Sequence, residues 1–318
     1  MNMTAKSQKI SNWIIATLKW RGEKIGRFFD ECINPFSQAN KIQRIRKGLL
    51  RKANKNLAKY IVLSERELRE TRKSDTIVMF GSGYSLNEIT SKEWKIISSF
   101  DTIGWNWFFN QNFVRLDYLL PREIAYIYSP ELMDNVQWMH TQYQPFKEAM
   151  LREKHRNTVV IRQGGIEAIT GNKIIADEYL PNKQRVFTYR NLPREVKYPP
   201  STSFSEGLVH GVSTFLDTLN FIYLMGWKRV CIAGVDLYDR RYFWLKEDQT
   251  RQEDLIRNGH FSEMHNTAGN LLEVFPEWVK SFRSKGIELI NVNKKSLLTD
   301  LIGFKAITDI GISNRKVK

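Results

Sequence analysis

A short apolar run that ends in a glycine turn lies at Thr76-Ile77-Val78-Met79-Phe80-Gly81-Ser82-Gly83. A continuous apolar run, rather than an alternating one, is typical of a strand buried on both faces of a parallel sheet. The glycines permit a tight turn, and Leu86-Asn87-Glu88-Ile89 predicts the start of a helix behind it. This strand, turn and helix predict an α/β domain that begins near residue 75.

The same alternation of strand and helix continues to the end of the chain. Further strands are predicted at Asp101 to Asn106, Leu116 to Leu120 (stopped by Pro121), Val159 to Ile161, Arg185 to Thr188, Arg229 to Gly234 and Ile287 to Asn291. Long helices are predicted at Gly211 to Met225 and at Gly269 to Lys285, closed by Gly226 and Gly286 as C-caps. Residues 190–206 read as a loop. We therefore expect a Rossmann-like, doubly wound, mostly parallel sheet.

The charge of the chain is concentrated at its N-terminus. The 318 residues carry a net charge of +15, and residues 1–73 hold 18 Lys and Arg against 6 Asp and Glu. The two cysteines, Cys32 and Cys231, form neither a disulfide framework nor a zinc site, so a reducing compartment is expected. With no apolar run of 18 residues and no signal peptide, we expect a cytoplasmic protein peripheral to the inner face of the membrane.

Three segments are predicted: a basic helical N-terminal extension (1–73), a Rossmann-like nucleotide-sugar-binding domain (74–305) and a basic C-terminal tail (306–318). Within the first, a break at Asn34-Pro35-Phe36-Ser37 separates one helix from a second at about 38–72. Two interpretations stay open. The basic amphipathic segment lies on an anionic membrane, or it packs on the core as a helical hairpin with a solvated basic face. Nucleic acid is not expected, because no recognition motif is present.

Candidate functional residues follow the strands, because α/β sheets bind ligands at the carboxyl ends of their strands. The turn Gly81-Ser82-Gly83-Tyr84-Ser85 can hold a phosphate or ribose through backbone N–H groups, or it is only a tight connection. Asn106 can bind a base or sugar, or it is a turn residue. In Gly234-Val235-Asp236-Leu237-Tyr238 and the later Tyr242, two phenols can donate to a leaving phosphate, or they pack as ordinary aromatics.

A histidine before the last long helix completes the set. His265 can act as a general base on an acceptor hydroxyl, with His260 and His210 as competitors and a structural role as the alternative. The sequence lacks metal-ligand spacing, a Gly-x-Ser-x-Gly elbow and an Asp-x-Asp motif. We therefore expect neither a metal nor another cofactor.

These pieces, in this order, resemble the bacterial sialyltransferases of glycosyltransferase family 42. The matching stretches are Phe80 to Ile89, Asp101 to Asn106, Gly211 to Tyr242, and His265 with the helix behind it, within about 75–300. The resemblance implies a Rossmann-like sheet with a lid and inverting, metal-independent transfer from CMP-N-acetylneuraminate. It assigns the general base to His265, phosphate binding to Tyr238 and Tyr242, and donor binding to Asn106, Gly81, Gly83 and Ser213. Ser82, Ser85, Thr214, Gly234 and Asp236 complete the candidate donor site.

The chain differs from that family at several positions. Ser82 replaces an asparagine between the glycines, His210 replaces an arginine, and Pro121-Arg122 stand where the family has another asparagine. The two tyrosines are four residues apart instead of six. The chain is also similar to the pterin pyrophosphokinase-like domains of surface-polysaccharide and flagellin-glycosylation loci, which share the glycine turn and the Gly-Val-Asp segment.

The leading hypothesis is an inverting glycosyltransferase that moves sialic acid or another nonulosonate from a CMP-sugar to a cell-surface glycan such as lipopolysaccharide or capsule. The expected partners are that donor and a glycan or glycolipid acceptor, with a membrane surface contacted by residues 1–73; a homo-oligomer stays open. The alternatives are an ATP-dependent pyrophosphokinase with Asp236 as a magnesium ligand, and a non-catalytic membrane-surface protein with a degenerate nucleotide fold.

Overall fold

The computed structural model describes residues 34–125, 136–192, 199–211, 213–238, 241–245 and 267–310. Within these residues the strands are β1 (Ile61–Val62), β2 (Thr76–Phe80), β3 (Asp101–Trp105), β4 (Tyr118–Leu120), β5 (Val159–Gln163), β6 (Arg185–Tyr189), β7 (Arg229–Ala233) and β8 (Glu288–Asn291). They form one sheet in the order β1-β6-β5-β4-β3-β2-β7-β8, and each neighbouring pair is parallel. The predicted α/β fold with a doubly wound parallel sheet is confirmed.

Helices cover both faces of the sheet. They are α1 (Asn34–Asn56), α2 (Glu65–Glu70), α3 (Ser91–Ile97), α4 (Val136–Met150), α5 (Ile169–Ala176), α6 (Thr214–Met225), α7 (Thr267–Ser284) and α8 (Thr299–Ile302). Ile77 and Met79 of β2 pack into the core under α6 and α7, whereas Val78 and Phe80 pack into the core under α3, α4 and α5. All five residues of β2 are buried. This explains why the strand is apolar throughout instead of alternating.

Helix boundaries differ from the predicted ones at two places in the core domain. The segment predicted to start a helix at Leu86 is a 3₁₀ turn, Tyr84–Glu88, and α3 begins only after the capping box of Thr90 and Glu93. Helix α6 begins at Thr214 because Ser213 is extended, with φ −166°. The predicted C-cap is confirmed, since Gly226 adopts the left-handed conformation and its N–H donates to the carbonyl of Ile222 over 3.1 Å.

The prediction of one helix over 38–72 is wrong. Helix α1 ends at Asn56, whose side chain donates to the carbonyl of Ala176 over 2.9 Å. The β-branched pair Ile61–Val62 then joins the sheet as an edge strand beside β6. Ser64 and Glu67 form a capping box that starts α2. Local start and stop signals and one edge pairing therefore override the apolar periodicity of this segment.

Helix α1 packs on α5 and divides its charges between two sides. Toward α5, basic side chains of α1 and the turn behind it form ion pairs: Arg46 with Glu167, Lys52 with Asp177, and Lys59 with Glu178. Away from α5, four exposed cations follow one side of the helix: Arg44, Lys47, Arg51 and Lys55. The part of the extension from Asn34 onward thus packs on the core with a solvated basic side. The helix predicted before it, with Cys32, lies outside the described residues, and membrane contact stays a prediction.

Two further findings concern the predicted segments. None of the described helices combines the length and the apolar character needed to cross a bilayer. Ile307 and Ile310 are buried in the core. The start of the segment predicted as a basic tail therefore packs against the domain, and residues 311–318 lie outside the described residues.

Candidate functional site

The candidate site lies where the direction of strand order changes. From β2 the chain runs outward through β3, β4, β5 and β6, and then returns to place β7 on the other side of β2. Ligands of doubly wound sheets bind in the crevice that such a switch opens at the carboxyl ends. The predicted segments Gly81–Ser85, Asn106 and Gly234–Tyr238 follow β2, β3 and β7 directly. The structure therefore brings these three segments to adjacent positions on one edge of the sheet.

The glycine turn packs tightly against the loop behind β7. The Gly81 N–H donates to the carbonyl of Ala233 over 2.8 Å, and the Gly83 N–H donates to that of Gly234 over 2.7 Å. A Cβ atom on Gly81 would collide with the Gly234 carbonyl oxygen. The glycines are thus required for the close approach of two loops. Among the described residues the Ser82 N–H donates to no backbone carbonyl, so it remains for a ligand, whereas the Tyr84 N–H lies on the side of the turn that the bridge between Gly83 and Tyr242 occupies.

Asp236 joins three segments below this turn. Its carboxylate accepts from the Ser85 N–H over 3.0 Å, from the Ser85 hydroxyl, and from Asn293 Nδ2 over 2.8 Å. The side chain is buried. Both oxygens of the Asp236 carboxylate are already hydrogen-bonded, so this geometry favours a structural role. It does not favour the role of magnesium ligand that the pyrophosphokinase alternative expects of Asp236.

We expect Gly83→Ala to lower the free energy of unfolding by about 1–3 kcal/mol, because it overpacks this junction. The new Cβ would lie 2.6 Å from Asp236 Cγ and 2.8 Å from the Gly234 carbonyl oxygen, although the φ of −68° suits any residue. Gly48→Ala is the matched control: it has open space around it in α1 and should stabilise by about 0.5–1 kcal/mol. Urea denaturation of both variants measures the difference, and equal stability of Gly83→Ala and the wild type would contradict the packing argument.

The two candidate tyrosines flank the turn. Tyr238 is 42% exposed. Partial burial raises the pKa of its phenol and the Asn293 hydrogen bond opposes this, while the carboxylates of Asp236 and Glu88 raise the pKa further. It therefore stays protonated and can donate. Tyr242 forms an isolated antiparallel bridge with Gly83, and its ring stacks on Trp244 at 4.6 Å.

Asn106 connects two elements instead of standing free. Its Oδ1 accepts from the N–H groups of Arg122 (3.1 Å) and Glu123 (2.8 Å), and its Nδ2 donates to Thr214 Oγ1 over 3.3 Å. Its φ of 48° is left-handed, a conformation that asparagine tolerates better than most residues. Asn106 thus attaches the start of α6 to the carboxyl ends of β3 and β4. All three recorded hydrogen bonds are internal, so its predicted contact with a base or sugar stays a prediction.

Ser213 is the candidate with an unmet hydrogen bond. It occupies the N-cap position of α6, yet its hydroxyl makes no capping bond, and among the described residues its enclosed Oγ has no hydrogen-bond partner. The Asn106–Thr214 contact places it at the carboxyl end of β3, beside β2. A helix N-terminus carries partial positive charge and free N–H groups, which bind phosphate. A buried hydroxyl without a partner is costly, so a ligand oxygen is the expected acceptor.

A buried charge cluster, missed at the sequence level, supports this end of α6. Asp217 Oδ1 accepts from Arg122 Nη1 over 2.9 Å, and Asp217 Oδ2 lies 2.5 Å from His210 Nδ1. Arg122 Nη1 also donates to Asn191 Oδ1 over 3.1 Å, and Asp217 is fully buried. Burial opposes the charge of Arg122, but Asp217 raises its pKa. The sequence carried one sign of this cluster, the acidic residue Asp217 within the apolar run of α6. Acidic side chains are rarely buried unless they are paired, so a buried Asp217 requires a partner.

The predicted base lies outside the described residues. His265 and His260 both belong to the segment 246–266, and α7 begins at Thr267. His210 is held by Asp217 in the buried cluster, and its role as a competing base stays a prediction. In the part of the chain that the structure describes, no group of three or more His, Cys, Asp or Glu side chains is placed to hold a metal ion. In the described part of the site, the candidate donors are the Ser213 hydroxyl, the Tyr238 phenol and the Ser82 N–H.

Comparison with known proteins adds one structural likeness. No protein-family model matches the chain, and no curated protein matches it either. The solved structures it is similar to include the monofunctional alpha-2,3-sialyltransferase Cst-I from Campylobacter jejuni, at 13% identity and a TM-score of 0.36, over 78% of this chain and 84% of that chain. A likeness at this level identifies neither the fold nor the chemistry of this chain, and both rest on the geometry described above.

Proposed function

We propose that this chain is a glycosyltransferase that binds a nucleotide-sugar at the carboxyl ends of β2, β3 and β7. The observation that carries the proposal is the enclosed, unpartnered Ser213 hydroxyl at the start of α6, next to a glycine turn at the topological switch point. A single phosphate of a CMP-sugar supplies the acceptor oxygen that Ser213 lacks. The sequence resemblance to family 42, and not the solved-structure likeness, supports a nonulosonate as the sugar.

The donor groups suit a monophosphate that becomes more negative during the reaction. When the glycosidic bond to phosphate breaks, negative charge develops on the phosphate oxygens. The N-terminus of α6 and the Ser213 hydroxyl stabilise that charge, and the protonated Tyr238 phenol adds a further donor from the β7 side. Fixed donors of this kind act on the transition state without a metal ion.

The proposed reaction is a single displacement. His265 removes the proton from an acceptor hydroxyl, the acceptor oxygen forms a bond to the anomeric carbon, and the bond from that carbon to the CMP phosphate breaks. The electron pair of the broken bond stays on CMP, and the configuration at the anomeric carbon inverts. The acceptor is proposed to be a cell-surface glycan or glycolipid presented at the inner membrane, where the exposed cations of α1 face an anionic surface.

A thermal shift series with CMP tests the donor site. At a hundred times its dissociation constant, CMP should stabilise the wild type by about 2.7 kcal/mol. Ser213→Ala should weaken CMP binding roughly tenfold to a hundredfold, because a hydrogen bond to a charged group is worth about 1.5–3 kcal/mol. The same variant should keep or raise the stability of the ligand-free protein, since it removes an unpartnered buried hydroxyl.

The control for that series is Ser203→Ala, which removes an exposed hydroxyl bonded to Ser205 and should leave CMP binding unchanged. UMP, GMP and ATP with magnesium serve as competing ligands. A shift with ATP and none with CMP would favour the pyrophosphokinase alternative and remove the proposed donor. A full CMP shift in Ser213→Ala would show that the phosphate lies elsewhere.

A further inference from the structure

Arg162 is a buried cation with no acidic partner among the described residues. Arg162 is the fourth residue of β5, and it is 3% exposed. Its two hydrogen bonds go to neutral oxygens, from Nε to Thr188 Oγ1 over 3.0 Å and from Nη1 to Asn172 Oδ1 over 3.3 Å. The acid nearest to it along the chain, Glu167, pairs with Arg46 instead. The guanidinium charge is therefore not compensated within the described structure.

Arg162 lies close to the N-terminus of a helix. Asn172, its partner in α5, donates from Nδ2 to the carbonyl of Gly165 over 2.8 Å. Through Asn172, the guanidinium is thus connected to Gly165 and to the first turn of α5. This helix has eight residues and starts after Ala168, which has no side chain that can cap it. A positive helix end and a buried guanidinium converge on one place at the carboxyl end of β5.

The charge balance favours an external ligand over a purely structural role. Buried charges are ordinarily paired, because leaving one unpaired costs several kcal/mol. Here burial lowers the pKa of Arg162 to about 10, so the group is still a cation near neutral pH. Arg122 provides a direct contrast: this buried arginine, two residues after the end of β4, has Asp217 as its partner.

We propose that Arg162, with the N-terminus of α5, forms a second anion-binding subsite that takes a phosphate or carboxylate group. β5 lies two strands from β3, at whose carboxyl end Ser213 is placed, roughly 10 Å at the usual spacing of parallel strands. This is too far for the phosphate held at Ser213, and α5 covers the opposite face of the sheet from α6. The subsite therefore takes a different anionic group, either on the acceptor or on the sugar of the donor. This assignment to a substrate rests on the proposed function, whereas the anion site itself does not.

Anion-dependent stability of the full chain tests the subsite. At constant ionic strength, replacing chloride by inorganic phosphate or by acetate should raise the melting temperature of the wild type. Arg162→Met should bind the effective anion about tenfold to a hundredfold more weakly, because its charged hydrogen bonds are lost. Arg162→Lys keeps the charge without the fork and should bind at an intermediate level, which preserves the test should the methionine variant fold poorly. Arg156→Met, which removes an exposed arginine, is the matched control and should respond like the wild type.

A second arm separates this subsite from the donor site. With CMP at saturation, the anion should still raise the melting temperature of the wild type, and loss of that rise would place the anion in the donor site and overturn the separate subsite. No rise with either anion, or an equal rise in Arg162→Met, would overturn the anion site altogether.

Should CMP itself fail to bind, the proposed function fails, but the comparison of wild type and Arg162 variants without CMP still decides the anion site. The last comparison uses a CMP-sugar that bears a carboxyl group. If Arg162→Met binds this CMP-sugar more weakly than the wild type does, but binds CMP equally well, the subsite belongs to the donor. If the affinity for the CMP-sugar is unchanged, the subsite belongs to the acceptor.

Discussion

Asp217→Asn is expected to lower the free energy of unfolding by about 3–5 kcal/mol, the cost of removing one partner from a buried ion pair. Arg122 would keep its charge in a site where its side chain is 8% exposed and where Asp217 is its carboxylate partner. His210 would lose its carboxylate partner in the same step. Chemical denaturation followed by far-ultraviolet circular dichroism measures the change through the shift of the midpoint at constant m-value.

Two further variants make this measurement specific. Asp300→Asn removes an exposed carboxylate and should change stability by less than about 0.5 kcal/mol. Arg122→Met combined with Asp217→Asn should be less destabilised than the sum of the single changes, because the double variant leaves no unpaired buried charge. Strict additivity, or a midpoint for Asp217→Asn equal to that of the wild type, would show that the cluster does not support α6.

His265→Ala is expected to lower the turnover number for sugar transfer by about 10²–10⁴-fold, the usual contribution of a general base. CMP binding should be unchanged, because the proposed role of His265 is toward the acceptor hydroxyl. Transfer from a CMP-sugar to a glycan acceptor, followed by release of CMP, measures the rate, and the thermal shift with CMP measures the binding.

The matched control for this prediction is His260→Ala, five residues earlier in the same segment. It should retain most of the wild-type rate. A His265→Ala variant that folds normally and keeps full activity would favour the non-catalytic interpretation or another base. Loss of activity in His260→Ala alone would transfer the role to that residue.

Two of the differences from the family 42 pattern meet in one structural cluster. Arg122 and His210 stand where the family has an asparagine and an arginine, and both contact Asp217. Considered one at a time along the chain, these two residues look like losses from a donor site. In the structure they are partners of one buried carboxylate, and they hold the beginning of α6 against the carboxyl end of β4. Under the proposed function, both residues therefore act on donor binding through the position of Ser213.

The strands and their parallel pairing followed from local pattern, because a strand buried on both faces must be apolar along its whole length. The run at Thr76 to Phe80 and the C-cap Gly226 are of this kind, since each depends on neighbouring residues alone. The edge strand Ile61–Val62 was hidden for the opposite reason. Two residues are too few to show a period, and their pairing partners in β6 lie far along the chain.

The roles of the site residues depended on contacts that no local pattern carries. Asp236 bonds Ser85 across 151 residues, and Asn106 bonds Thr214 across 108 residues. These contacts give Asp236 and Asn106 hydrogen-bond partners within the protein, and they leave Ser213, at the start of α6, with the enclosed hydroxyl. The polar residues at the strand ends can be read from the order of residues alone, because burial dictates composition locally. Which of those groups are already bonded, and which remain for a ligand, is visible only in the folded chain, because hydrogen-bond partners come from distant segments.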